Sequence, residues 1–156
     1  MRLAALVSSL LLCACATAGT EPSGNAWSLS GYEGFVESID AFVGPSAVDC
    51  GFFNLIEGKP APAVRRRAHA CVKSAIASGL AFKYGTKRLP IDSYATEIVV
   101  RAADGKFWMI VFDVMIDGEA AQQWNRICQA VAVDPKTMII DARECVENST
   151  GKLVTK

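Results

Sequence analysis

Residues 96–102 and 107–116 are rich in apolar, β-branched and aromatic side chains, which predicts two β-strands. Asp104-Gly105 between them is typical of a two-residue hairpin turn. A two-residue loop would pair Arg101 with Trp108 and would give the hairpin two distinct faces. One face is wholly apolar, and we expect it to pack on the helix predicted over residues 63–82: Ile98, Val100, Ala102, Phe107, Met109 and Val111.

The other face of this hairpin is the candidate partner face. It carries a row of large side chains with a cation opposite the tryptophan: Arg101, Trp108, Ile110 and Phe112. Arg101 over the Trp108 ring would form a cation–π pair. An uncovered row of this kind is typical of a protein interface. A helix lying over the row would instead make it a third layer of core, and a groove between that helix and the sheet would serve both purposes.

Two segments have the apolar spacing of helices. Residues 63–82 place small and apolar side chains on one face and predict the main helix: Val64, Ala68, Cys71, Val72, Ala75 and Gly79. Residues 32–43 carry Phe35, Ile39 and Phe42 at helical spacing and predict a shorter helix that ends at Gly44-Pro45. Residues 50–56 are expected to be extended, and residues 119–126 to form a helical turn.

A second hairpin completes the predicted fold. Residues 127–133 and 137–142 flank Asp134-Pro135-Lys136, in which the proline suits the first corner of a type I turn. We therefore expect one α+β domain over residues 31–147. Its antiparallel sheet of four or five strands packs on one main helix, with a second short helix nearby. Residues 148–156 form a polar tail.

The start of the chain predicts export. Met1-Arg2 precedes residues 3–12, which are apolar apart from Ser8 and Ser9. This run is too short for a transmembrane helix, which needs about 20 residues. A short basic start with a short apolar core is typical of a secretory signal peptide.

The residues at the end of this signal resemble the lipobox of bacterial lipoproteins: Leu12-Cys13-Ala14-Cys15. The resemblance implies a signal peptide over residues 1–14 and acyl chains on Cys15. Residues 15–30, polar and rich in Gly, Pro and Ser, would then be a flexible tether. Ala16 after the cysteine implies sorting to the outer membrane, facing the periplasm. Cleavage after residues 16–18, before Gly19, would instead release a soluble periplasmic or secreted protein.

Four cysteines remain in the predicted domain: Cys50, Cys71, Cys128 and Cys145. Disulfides are the expected state after export. Three connectivities are open, and the arrangement along the chain favours the local pairs Cys50–Cys71 and Cys128–Cys145. Zinc is disfavoured because no C-x-x-C motif occurs and His69 is the only histidine. We expect no metal and no cofactor.

The remaining polar candidates have simpler interpretations. His69 is expected to be structural or exposed, since Cys71 lies on a different side of the same helix. Arg65-Arg66-Arg67 and Lys73 are expected to form a solvated face, with phosphate, lipid head groups or an acidic partner as the functional alternative. Four acidic residues are assigned to turn chemistry rather than to calcium or hydrolysis: Asp104, Asp113, Asp117 and Glu119.

These observations favour a binding or structural lipoprotein of the cell envelope that acts through protein–protein contacts. The chain has 16 basic and 16 acidic side chains, so it has no basic field for nucleic acid. Its expected partners are the membrane, through the lipid anchor, and an unidentified envelope protein or effector. The alternative is an immunity or inhibitor lipoprotein that neutralises a toxin or a cell-wall hydrolase. An enzyme is less favoured because no catalytic motif is found.

Overall fold

The computed structural model describes residues 31–116 and 121–148. Within these ranges, six strands form one sheet in chain order, and a helix packs on each face. The elements are α1 Gly31–Val43, β1 Val48–Asn54, α2 Pro62–Ala77, β2 Phe82–Arg88, β3 Ser93–Arg101, β4 Phe107–Met115, β5 Ala121–Val133 and β6 Ile140–Glu147. The mixed α+β class is confirmed, but the sheet has more than the four or five strands predicted. The signal peptide, Cys15, the tether and residues 149–156 of the tail lie outside the described residues.

The strands define two ends of the sheet. β1 and β2 run parallel, joined by α2, and all later neighbours are antiparallel. At the Met115 end, β1 and β2 finish, β3 begins and β4 finishes. At the Phe107 end, β2 begins, and the turn between β3 and β4 lies at this same end. Because α2 connects the end of β1 to the start of β2, it begins at the Met115 end and finishes at the Phe107 end.

Each helix buries one face of the sheet. The face under α2 holds the larger core cluster, in which Val72 and Ala75 of the helix meet residues of β2 to β5: Phe82, Tyr84, Val99, Met109, Val111 and Cys128. The face under α1 holds a second cluster that contains Phe35 and Ile39 of α1 with Ile98, Val100, Ile110 and Phe112. The domain therefore has three layers.

The predicted register of the first hairpin is wrong by one residue. Phe107 pairs with Arg101, and Trp108 pairs with Val100. Gly105 N–H donates to Ala102 O at 2.9 Å, and Ala102 N–H donates to Lys106 O at 3.1 Å, so the loop has three residues and not two. Gly105 takes φ 82°, the left-handed residue of a type I turn with a G1 bulge. The one-residue shift moves Ile98 and Val100 from the α2 side, where they were expected, to the α1 side.

Two further boundaries differ from the prediction. The main helix ends at Ala77 and not at residue 82, because Leu80 N–H donates to Ala75 O at 2.9 Å and closes the helix. Phe82 already belongs to β2, a strand that the sequence analysis missed. Residues 121–126 are the start of β5 and not a helical turn, since they pair with β4 along their length. Cross-strand pairing outweighs the local pattern there.

Both disulfides join the cysteine pairs that the sequence favoured. Cys50–Cys71 ties β1 to α2, and Cys128–Cys145 joins residues that are direct register partners on β5 and β6. Beyond Cys128 the β5–β6 hairpin extends past β4 and contributes to the core under α2. Tyr84 of β2 donates its hydroxyl to Met138 O at 2.8 Å and fixes the tip of this hairpin. No helix among the described residues is long and apolar enough to cross a bilayer.

Candidate functional site

The candidate partner face is divided between the two sides of the sheet. Trp108, Ile110 and Phe112 share the side covered by α1, where Phe112 stacks on Phe35 at 5.2 Å and Trp108 meets Phe42 edge-on at 5.3 Å. Ile110 is fully buried. Arg101 lies on the opposite side, with its guanidinium over the Phe107 ring at 5.8 Å and its Nε donating to Gly105 O at 3.3 Å. The structure therefore places this row in the core and does not bring Arg101 to Trp108.

A cleft does lie between α1 and the sheet, on the side of β1 and β2. It has a volume of about 130 Å³. Lys83 spans its rim, paired with Asp40 of α1 and with Asp49 of β1 at 3.2 Å. The hydrogen bond to Asp40 raises the pKa of Lys83, against the opposing effect of desolvation. The cleft is small beside the 300–1,000 Å³ typical of ligand pockets, so we regard the ion pairs as a clamp between layers.

His69 and the basic triplet lie on α2. His69 lines an open cavity of about 310 Å³ between α2 and the β5–β6 hairpin, and its other lining is largely apolar. Cys71, two residues on, is held in the disulfide with Cys50, so it offers no thiolate to this histidine. Arg65 donates to Pro60 O at 2.8 Å, whereas Arg66 and Arg67 are exposed. Within the described ranges, no three His, Cys, Asp or Glu side chains are grouped to hold a metal ion.

A concave region that is more polar than these two lies on the α2 side of the sheet. This cavity, which we call the strand cavity, has a volume of about 370 Å³. Four adjacent strands line it, from β3 to β6: Glu97, Met109, Val111, Trp124, Arg126, Ile140, Ala142 and Cys145. Strand register places these residues together, because Glu97 pairs with Val111 and Val111 with Trp124, while Met109 pairs with Arg126.

One wall of the strand cavity is formed by Glu97, which is held in an ion pair with the half-buried Arg88. Glu97 is only 8% exposed, and both its carboxylate oxygens accept from Arg88, one of them from Nε at 3.0 Å. The hydrogen bonds to Glu97 raise the pKa of Arg88, with desolvation acting against them and the charge of Asp113 adding to them. Such a bidentate pair fixes the carboxylate in one orientation. Asp113 Oδ1 and Thr86 Oγ1, on the same face of the sheet, are buried without a hydrogen-bond partner among the described residues.

The other wall combines an aromatic ring with a loosely held cation. The Trp124 side chain is half-buried and packs at the edge of the core cluster. The Arg126 side chain is 44% exposed, and within the described part of the chain its ion pair is a long contact of 3.8 Å to the exposed Glu147. A guanidinium in this state is suited to a carboxylate or phosphate, which it binds through two parallel N–H donors. The disulfide to Cys145 stiffens the strands that carry this wall.

The residues of the strand cavity were not predicted from the sequence. In the predicted register Glu97 shares the face of Trp108 and Ile110, and Trp124 and Arg126 fall in the segment interpreted as a helical turn. No apolar–polar alternation marks this segment as a strand, and only its pairing with β4 places Trp124, Arg126 and Cys128 on one face. Comparison of the chain with protein-family models, with curated proteins and with solved structures finds no match.

Proposed function

We propose that this protein is an exported binding module of the cell envelope, held at the outer membrane by acyl chains on Cys15. In this proposal it recognises a protein partner through the strand cavity and performs no catalysis. The single observation that carries the binding role is that Arg126 and Trp124 line the same cavity, which has a volume of about 370 Å³. The two disulfides are compatible with an exported protein, since such bonds persist in oxidising compartments.

The chemistry of the cavity favours a partner group with a carboxylate beside an apolar part. Arg126 would take the carboxylate, and Trp124 with Met109 would contact the apolar part. The C-terminal residue of a polypeptide has this combination, and so does an acidic side chain at the end of a loop. Glu97 lies on the opposite wall, where its negative charge would turn such a carboxylate towards Arg126.

Loss of the Arg126 cation tests this proposal directly. Arg126→Gln removes the charge and keeps most of the side-chain length, and the partial exposure of Arg126 makes the change tolerable for folding. The matched control is Arg143→Gln, because Arg143 is an exposed β6 residue whose guanidinium bonds Asp141 and does not line the cavity. Charge-assisted hydrogen bonds of this type are worth roughly tenfold or more in affinity.

The assay is cross-linking in intact cells followed by purification of the protein and mass spectrometry of its partners. We expect one envelope protein to be captured by the wild-type chain and by Arg143→Gln, and to be lost with Arg126→Gln. Equal capture by all three proteins would refute the cavity as the recognition site. A partner that proves to be a toxin or a hydrolase, inhibited on binding, would assign the immunity role instead.

The tether is tested separately by the intact mass of the mature protein purified from membranes. An acylated Cys15 is expected. A mass that begins at Gly19 without lipid would refute the tether and leave a soluble factor, and it would not bear on the cavity. Reduction and alkylation of the same sample should add four alkyl groups to the disulfide cysteines, because both pairs are closed.

A further inference from the structure

Five exposed apolar side chains are gathered at the Met115 end of the sheet: Ile56, Leu89, Ile91, Met115 and Ile116. We call this group the apolar tip. Ile91, in the turn between β2 and β3, is 88% exposed. Backbone contacts hold the members together, since Ile116 N–H donates to Asp92 O at 3.0 Å and Met115 pairs with Ser93. Ile56 follows the end of β1, where Leu55 N–H donates to Lys87 O at 2.8 Å.

The chain enters the domain at this same end. Phe35, near the start of α1, stacks on Phe112, whereas Phe42, near its finish, contacts Trp108. The helix therefore runs antiparallel to β4, and Gly31 is the α1 residue closest to the Met115 end. A lipid tether that precedes residue 31 would bring this end of the domain to the membrane first.

Basic side chains flank the apolar tip. Because α2 also begins at the Met115 end, Lys59, Arg66 and Arg67 lie there with exposed side chains. The exposed acids Glu57 and Asp92 share this end, so the basic excess is small. Lys and Arg beside inserted apolar side chains are the arrangement found at the surface of bilayers with anionic lipids.

We infer that the apolar tip inserts into the lipid bilayer that carries the tether, and so holds the domain in one orientation on the membrane. This inference rests on the membrane anchorage in the proposed function. The acyl chains supply the anchorage, and the tip supplies the orientation. The exposed aliphatic side chains of the apolar tip lie at one end of the sheet, so they enter the acyl-chain region of the bilayer together. The three basic residues around them reach the lipid head groups.

A tryptophan placed at the tip reports insertion. Ile91→Trp is compared with Ile139→Trp, an exposed isoleucine in the β5–β6 turn at the other end of the sheet, and with the wild-type chain. Each mature protein is purified from membranes and reconstituted in vesicles of phosphatidylethanolamine and phosphatidylglycerol with spin-labelled acyl chains. We expect Ile91→Trp to show a shift of emission to shorter wavelength and a loss of fluorescence beyond the wild-type background. Ile139→Trp should show neither effect.

The basic residues give a second, independent readout. Arg66→Gln combined with Ile91→Trp should lower the docked fraction in anionic vesicles, by roughly fivefold where docking is weak, and should have no effect in phosphatidylcholine alone. Equal quenching in Ile91→Trp and Ile139→Trp would overturn the inference. So would the absence of quenching in Ile91→Trp, and burial of the introduced ring in intact cells would then identify the occupant as a protein. The mass of the same sample reports acylation of Cys15, so a failed tether and a failed insertion are told apart.

Discussion

Removal of the Phe35 ring tests whether α1 is an integral layer of the domain. Phe35 is fully buried and stacks on Phe112 at 5.2 Å, so Phe35→Ala removes a whole aromatic side chain from a closed core. Substitutions of this kind cost about 3–5 kcal/mol, from lost transfer free energy and from the cavity left behind. A domain with a total stability of about 5–15 kcal/mol would lose a large fraction of it.

The assay is equilibrium unfolding in urea, read by tryptophan fluorescence. We expect the midpoint to fall while the slope m stays unchanged, because wild type and variant expose the same surface on unfolding. The matched control is Glu37→Ala, an exposed residue of the same helix that should change the free energy of unfolding by at most about 0.5 kcal/mol.

Two results would contradict this reasoning. A loss well below 2 kcal/mol would show that α1 adds little to the core. A fall in m, with a midpoint close to that of the wild type, would show that α1 detaches before the sheet unfolds. In that case the apolar row beneath it, with Trp108 and Ile110, would become accessible and the candidate partner face would need to be reconsidered.

Three further predictions concern single features of the fold. Replacing Cys128 and Cys145 together by serine should cost about 3 kcal/mol, measured by urea unfolding, because the pair closes a loop with a sequence separation of 17. Gly85→Ala should cost about 1–3 kcal/mol in the same assay, because a Cβ there would lie 2.6 Å from Phe52 Cδ2. Burial raises the pKa of Tyr84, so stability should be full below pH ~10 and fall as the pH rises further, when the unfolded chain ionises. Tyr84→Phe should remove part of this alkaline loss in a series of melts from pH 8 to pH 11.

Local chemistry predicted those features of the fold that depend on neighbours in the sequence. Helical spacing placed α1 correctly, and the start of α2 came within one residue. Both predicted hairpin turns connect paired strands. In each turn an aspartate side chain, Asp104 or Asp134, accepts a hydrogen bond from the backbone N–H two residues ahead. The short separation within each cysteine pair favoured the two disulfides that the structure contains.

Features that depend on contacts between distant segments were not predictable in this way. β2 was missed because Phe82 continues the apolar spacing of α2, and only hydrogen bonds at Leu80 show where the helix stops. The N-terminal half of β5 has few apolar residues, so its strand character depends on pairing with β4. One additional loop residue at Gly105 was enough to exchange the faces on which the β3 side chains lie relative to those of β4.

That exchange also accounts for the failure to locate the strand cavity from the sequence. With the predicted two-residue loop, Glu97 would lie on the same face as Trp108 and Ile110, beside the apolar row of the candidate partner face. In the observed register Glu97 pairs with Val111, and its carboxylate points with Trp124 and Arg126 into a concave region of the opposite face. Arg88 then becomes its partner, from a strand that the sequence analysis had not identified. The site therefore follows from the register of five strands, β2 to β6, and a single left-handed residue in one turn decides whether Glu97 belongs to it.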